Sequence, residues 1–202
     1  MRYTSCIFVG CLSVLASSVV SAAAPAPAPT QKVGNSYVYK DKVATVKCAK
    51  WRTVKLDQDG YLVCACGDYT MYRKRPDMSL AKITDRNGTP VVKFDPPAHT
   101  LSFPLTEGKK WTGRTEGYTA DNNAKWTGDY TCDVAGFEKT ATAAGNIGAY
   151  RVDCHDQWQS GSYRGVSDTS TWYSPKLNEV IKVKDQQDSR WDEELQSYKL
   201  VK

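Results

Sequence analysis

From residue 36 to the C-terminus the chain is a succession of short β-type runs, closed by Gly, Asn, Asp or Pro, with no helical interval between them. Inside the runs, β-branched and aromatic residues alternate with polar ones, the two-residue period of a half-buried strand. Tyr37-Val38-Tyr39 and residues 43–46 open the series. Residues 53–56 lead into an Asp57-Gln58-Asp59-Gly60 turn, residues 61–64 return from it, and Thr70-Met71-Tyr72 extends that return. Asn87-Gly88, the strongest short hairpin signal, sits between Lys82-Ile83-Thr84 and residues 91–94. Pro96-Pro97 stops that run, and residues 101–105 read as a short edge segment. Only residues 192–195 have helical character, one turn at most. The expectation is an all-β fold, a single domain of antiparallel, strongly curved sheet, open barrel or sandwich-like.

The centre of the chain contains an echo. Lys110-Trp111-Thr112-Gly113 recurs as Lys125-Trp126-Thr127-Gly128, with residues 120–123 as the turn between. Two copies do not make a solenoid; they read as a hairpin whose arms face a core with Trp-Thr pairs.

Residues 1–22 have the layout of a secretory signal peptide: Arg2, an apolar stretch over residues 6–20, then small residues up to Ala22. That stretch is shorter than the roughly 20 residues a spanning helix needs, so a retained membrane anchor is disfavoured. Cys11 after Gly10 is a lipoprotein alternative that would leave almost no apolar core. Cleavage after Ala22 gives an Ala/Pro-rich spacer over residues 23–32 and a domain over residues 33–202, with a periplasmic or secreted address. No second apolar run in the sequence approaches spanning length. Without Arg2 the 27 Lys and Arg become 26 against 22 Asp and Glu, a net charge of +4. Arg73-Lys74-Arg75 is the one dense basic cluster and reads as a solvated loop. No basic stripe accompanies it, so a nucleic-acid partner is not expected.

Five cysteines remain after cleavage, and in an exported protein they are disulfide candidates rather than metal ligands. Cys132 and Cys154 flank a turn near residues 141–146 in nearly symmetric positions, as cross-strand partners would. Cys64 and Cys66 share one face of a strand, about 6.8 Å apart at the backbone, the far limit for pairing with each other. Either can reach Cys48 across the hairpin, and the expected bridge is Cys48 with Cys66, leaving Cys64 as a buried thiol.

Residues 100–184 carry motifs of a known family. Phe103-Pro104-Leu105 precedes Gly108-Lys109-Lys110-Trp111. Val134, Gly136 and Glu138 follow, then Ala144-Gly145, Tyr150-Arg151-Val152, Trp172-Tyr173-Ser174-Pro175 and Val180-Ile181-Lys182. This half of the mature chain resembles the TapB-like family of exported bacterial domains. It departs from the pattern at Ala143, where Pro is usual, and at Ile147, where Phe is frequent. The resemblance implies an antiparallel, curved β domain of the cell envelope and carries over no catalytic residue.

The chemistry-bearing residues are few. His99 and His155 are the only histidines. Asp153-Cys154-His155-Asp156 has metal-ligand composition, but strand alternation puts Asp153 and His155 on one face and Cys154 and Asp156 on the other. No metal site and no cofactor is expected. Gly161-Ser162-Tyr163-Arg164-Gly165 lacks the spacing of a nucleophile elbow, and Asp192, Glu193 and Glu194 read as solvated neighbours, so no catalytic residue is assigned. Trp126 and Trp158, bordered by polar groups, are the candidate ligand-binding residues, suited to stacking on sugars or apolar groups. The leading expectation is a non-catalytic exported module that binds an envelope protein or a glycan or apolar ligand. The alternatives are an envelope hydrolase and a structural accessory of a surface assembly.

Overall fold

Twelve antiparallel strands close on themselves, each paired to its neighbour in sequence and the last to the first. They are β1 (Ser36–Tyr39), β2 (Lys50–Leu56), β3 (Tyr61–Cys66), β4 (Tyr69–Lys74), β5 (Leu80–Thr84) and β6 (Pro90–Ala98), then β7 (Lys110–Thr119), β8 (Ala124–Thr142), β9 (Gly145–Ser160), β10 (Tyr163–Ser174), β11 (Glu179–Asp185) and β12 (Glu193–Lys199). The computed structural model describes residues 23–98, 100–120 and 123–202. The signal-peptide reading of residues 1–22 and His99 lie outside the described residues.

The all-β, single-sheet, antiparallel expectation holds, and the sheet is closed rather than open. Closure comes from the chain ends: Ser36 pairs with Lys199 and Tyr37 with Tyr198. Closing the sheet leaves no free edge whose N–H and C=O groups lack partners. The long β8–β9 hairpin bends at a bulge, where the register shifts between Val134 and Gly136. Gly136 takes φ +148 there, a value that side-chain-bearing residues rarely adopt. Its tip folds back towards β12, where Ala144 N–H donates to the Leu195 carbonyl at 3.3 Å.

Three local expectations are corrected. Thr70-Met71-Tyr72 does not extend β3: the chain reverses at Gly67 (φ +57) and Asp68, and these residues form β4. β6 runs through Pro96-Pro97 because its ladder to β7 ends at the Asp95–Glu116 pair. The missing N–H groups are therefore not called on, and Thr115 Oγ1 donates to the Pro96 carbonyl at 2.8 Å. Residues 101–105 form no barrel strand. They cross one end of the barrel, burying Leu101 and Leu105 at 1% and 0% exposure.

At that same end, Ala26 in the Ala/Pro-rich segment makes a β-bridge to Leu105 and is buried. Tyr150 Oη–H donates to the Ala24 carbonyl. This stretch of the segment is docked on the barrel, since its carbonyls still accept even where Pro removes donors.

The interior divides into two packed clusters. One, centred on Tyr37, Tyr39, Trp51, Leu62, Met71, Ile83, Ile181 and Leu195, fills the side built by β1–β5 and β11–β12. The other packs Leu101, Leu105, Val134, Tyr150, Val152 and Tyr173 behind the crossing segment. Arg73 is buried, contrary to its reading as part of a solvated basic loop. Its Nη1 donates to Glu179 Oε1 at 2.6 Å, and the side chains are 9% and 3% exposed. Strand alternation turns Arg73 inward between the outward Tyr72 and Lys74, and the β11 carboxylate compensates its charge.

Cys48 is bonded to Cys66 and Cys132 to Cys154. Thr53 pairs with Cys64 in the β2–β3 ladder, so Cys66 lies two residues further along, level with the chain before β2 that holds Cys48. Cys64 is free and buried, and burial pushes its thiol up to about 11. It stays protonated near neutrality and is a poor nucleophile.

Candidate functional site

Between the packed clusters and the opposite end of the barrel lies a lumen of about 710 Å³. The inward residues of adjacent strands build its wall in rows: Trp126, Tyr130 and Cys132 on β8; Cys154, Asp156, Trp158 and Ser160 on β9; Ser167, Thr169 and Thr171 on β10. The Cys132–Cys154 bridge, with Leu101 and Met78, forms its floor, since Val134 and Val152, next inward along the strands, are fully packed. The lumen opens towards the β7–β8, β9–β10 and β11–β12 connections.

Twelve strands enclose more room than the roughly eight whose interior side chains alone fill, and three glycines keep that room clear. Gly113 pairs directly with Tyr130, Gly117 with Trp126 and Gly165 with Trp158. In each pair a Cβ on the glycine would overlap the aromatic side chain opposite. Each aromatic therefore lies along the wall over its cross-strand glycine, with the rest of the lumen left clear. Gly128 does the same for the Asp156 carboxylate.

Trp126 also belongs to an aromatic cluster at the mouth. Between β11 and β12 a 3₁₀ turn, Ser189–Trp191, reaches over the opening. Trp191 meets Phe94 of β6 and Trp126 of β8, both at 6.5 Å between centroids, and Phe94 and Trp126 meet edge-on at 5.9 Å. The turn is held by Asp188, whose side chain accepts from Arg190 N, and by Lys42 Nζ, which donates to the Ser189 carbonyl at 3.1 Å.

The wall from β9 to β12 is acidic. Asp156 and Ser167 are register partners, and Ser167 Oγ donates to Asp185 Oδ2 at 2.8 Å. Glu193, paired in register with Val183, accepts from Ala44 N–H at 2.8 Å. It is not the solvated carboxylate of its sequence reading. The residue belongs to β12 and faces the lumen, and burial pushes its carboxyl up to about 7 against the counter-pull of the Ala44 hydrogen bond and Arg73. Burial and the neighbouring Asp129 push Asp156 up to about 6. Arg73 and Arg190, the cations of the lining, are paired with Glu179 and Asp188 at 2.6 and 2.7 Å.

Trp126 and Trp158 both line the lumen, on neighbouring strands. Phe94 and Trp191, which the sequence reading did not single out, join them, as do Asp156 and Glu193, which it weighed and set aside. For Phe94 the available signal was Gly117 opposite it; Trp191, in a turn without a strand partner, carried none. The Asp153-Cys154-His155-Asp156 run splits as alternation requires. Cys154 and Asp156 face the lumen, while His155 lies outside, its Nδ1 2.7 Å from Asp168 Oδ1. That hydrogen bond holds the Asp168 carboxyl below the usual carboxylate range. Among the described residues, no serine, threonine or cysteine bonds to His155, and no three His, Cys, Asp or Glu side chains cluster as a metal set.

The architecture and site define a closed, twelve-stranded antiparallel β-barrel with an aromatic- and carboxylate-lined lumen. Solved structures with a similar run of backbone include a protein from Bacteroides fragilis described as exported and of YmcC-like fold, at TM-score 0.48 and 11% identity, covering 88% of this chain and 100% of that one. Another, described as a lipoprotein, is from Parabacteroides distasonis, at TM-score 0.47 and 12% identity, over 88% and 100% of the two chains. The hypothetical lipoprotein YmcC of Escherichia coli aligns at TM-score 0.45 and 12% identity over 76% and 80%. No protein-family model matches the sequence, and no curated protein matches it. No helix among the described residues is long and apolar enough to cross a membrane.

Proposed function

We propose that this is an exported, non-catalytic binding barrel of the bacterial cell envelope that holds an apolar or glycan ligand inside its lumen. The observation that carries the reading is the glycine–aromatic pairing. Gly117 and Gly165 keep the rings of Trp126 and Trp158 against the wall, and the space they leave, about 710 Å³, is within the usual range of small-molecule sites. Strand glycines cost stability, so a barrel selected for packing alone would place larger residues at these inward positions. Trp126 and Trp158 are the ligand-contacting residues in this reading. The two disulfides suit an oxidising compartment, in accord with a periplasmic or secreted address after cleavage near Ala22. The motifs over residues 100–184 support a TapB-like relationship. An external His155–Asp168 pair without a bonded nucleophile gives the hydrolase alternative little to work with.

Native mass spectrometry of the mature protein isolated from the envelope tests this. A bound mass is expected that organic extraction removes and that is reduced in Trp126→Ala/Trp158→Ala. A protein that carries no added mass, and whose tryptophan emission is unmoved by any amphiphile or oligosaccharide, would sink the proposal.

A further inference from the structure

We propose that the ligand of this lumen is an amphiphile with an ammonium head group, its apolar body on the aromatic wall and its cation beside the carboxylates of the opposite wall. This rests on the lumen reading above and names the ligand class.

The two walls differ in kind. The β4–β8 side presents Met71, Leu80, Phe94 and Trp126, mainly apolar, with the hydroxyls of Thr115 and Thr119 and the Glu179-paired Arg73 among them. The β9–β12 side presents Asp156, Asp185 and Glu193 on three strands, interleaved with the hydroxyls of Ser167 and Thr169. The arginines of the lining are each hydrogen-bonded to another acid, Arg73 to Glu179 and Arg190 to Asp188, and Arg73 acts on Glu193 through its charge without a hydrogen bond to it. Two of the three acids receive neutral donors. Glu193 accepts from Ala44 N–H, and Asp185 from Ser167 Oγ and the N–H groups of Gln187 and Asp188.

Asp156 goes further. Its Oδ1 is buried, lies over Gly128 and has no hydrogen-bond partner among the described residues. Burying a carboxylate without a countercharge is costly, and a cation placed beside it relieves that cost. A ligand carboxylate or phosphate would add repulsion along the same wall. An ammonium group also suits the tryptophan faces, whose quadrupole attracts cations, and the apolar wall takes the rest of the molecule. The acidic row and the aromatic wall are independent features of one cavity, and an amphiphile of this polarity satisfies both.

The test compares three probes of equal chain length, dodecylamine, dodecanol and dodecanoate. Each is added below its micelle-forming concentration to the mature protein at about pH 8, where carboxylates of ordinary or moderately raised pKa are ionised. Tryptophan emission is the readout. The amine is expected to bind at least about ten-fold tighter than the alcohol, the scale of one charge-assisted contact, and the dodecanoate weaker still. Asp156→Asn and Glu193→Gln are expected to remove most of the amine's advantage while leaving the alcohol unchanged. Circular dichroism of each variant confirms the fold. Equal binding of amine and alcohol, or tighter dodecanoate, overturns the ammonium proposal and leaves the lumen reading standing. Saturable binding of none of the three, with emission unmoved, overturns the ammonium proposal; only if oligosaccharides also fail and no mass co-purifies does the lumen reading fall with it.

Discussion

The two sides of the barrel interior are built on the same alternation and end in opposite states. Under β1–β3 and β5, inward Tyr37, Tyr39, Trp51, Leu62 and Ile83 pack with Ile181 and Leu195 into one cluster. Under β7–β10, inward rings are just as large, yet the space beside them is open. The difference lies in what stands opposite. On the packed side large side chains face large ones, and the tyrosines extend to fixed acceptors: Tyr37 Oη–H donates to the Leu177 carbonyl at 2.9 Å and Tyr39 Oη–H to that of Val180 at 2.8 Å. On the open side the rings of Trp126, Tyr130 and Trp158 each face a glycine and lie down on it. Closure of the sheet therefore fixes only the perimeter. Whether the inside becomes core or cavity is decided pair by pair across neighbouring strands.

The strongest way to break the packed side is through its ion pair. Arg73→Met or Glu179→Leu alone leaves one buried charge without its partner, with an expected loss of about 3–5 kcal/mol of unfolding free energy. The double variant is expected to recover most of that loss, because two apolar groups then fill the space. Urea unfolding followed by far-UV circular dichroism measures this. Additive single losses would mean that the pair does not act as a unit.

The two disulfides sharpen the comparison because they close loops of similar size, with separations of 18 and 22 residues. Replacing either pair with serines is expected to cost about 2–4 kcal/mol. The consequences differ by side. Cys48–Cys66 ties down the connection that buries Val43, Ala44 and Val46, so its removal is expected to speed proteolysis within residues 40–49. Cys132–Cys154 joins residues already paired in the β8–β9 ladder, so its removal should leave the backbone protected. Limited proteolysis decides, and non-reducing peptide mapping must first find both bridges.

On the open side, Gly117→Val puts a branched side chain where the Trp126 ring lies. Overpacking of this kind costs about 1–3 kcal/mol, and the displaced ring is expected to narrow the lumen and abolish binding of any large ligand. Gly88→Ala is the control for backbone strain, since its turn has open space and only its φ of +81 is disturbed. If Gly117→Val left tryptophan emission and ligand uptake as they were, the glycines would not be what keeps the lumen clear.

Strand content and most turns were legible because they are local: the Asp57–Gly60 and Asn87-Gly88 hairpins need only their own residues and the runs beside them. Closure was not, because it depends on residue 36 meeting residue 199. Arg73 reads as solvated on its own stretch of chain, since the acid that buries it is Glu179, 106 residues away. The preference of Cys48 for Cys66 depends on the β2–β3 register, which is displaced by an irregularity between Thr53 and Lys55. The Trp-Thr-Gly echo was visible and its meaning was not. The register pairs Trp126 with Gly117 and Trp111 with Cys132, so the two copies do not face each other.

The last expected effect is a pH dependence carried by the open side. Glu193 stands at about 7 against an ordinary 4.5, and Asp156 at about 6 against 3.8, both mainly through burial. A carboxyl with a raised folded value weakens the fold when ionised. As pH falls from above 7 towards 4.5, the folded protein takes up a proton on Glu193 that the unfolded chain does not, and stability rises. Asp156 adds to that rise between about 6 and 3.8. Asp168 and Asp188 work in the opposite direction, their carboxyls lowered chiefly by hydrogen bonds from His155 and Arg190, but their window lies below 3.8. The denaturation midpoint is therefore expected to be higher near pH 5 than near pH 8, and to fall again in stronger acid. Glu193→Gln should flatten the upper part of the rise and Asp156→Asn the lower part, while the Arg73/Glu179 double variant should keep a rise. A wild-type midpoint that is flat across this range, or that both single variants leave unaltered, would mean that the lumen carboxylates are as well solvated as surface ones, and the contrast between the two sides would reduce to one of volume.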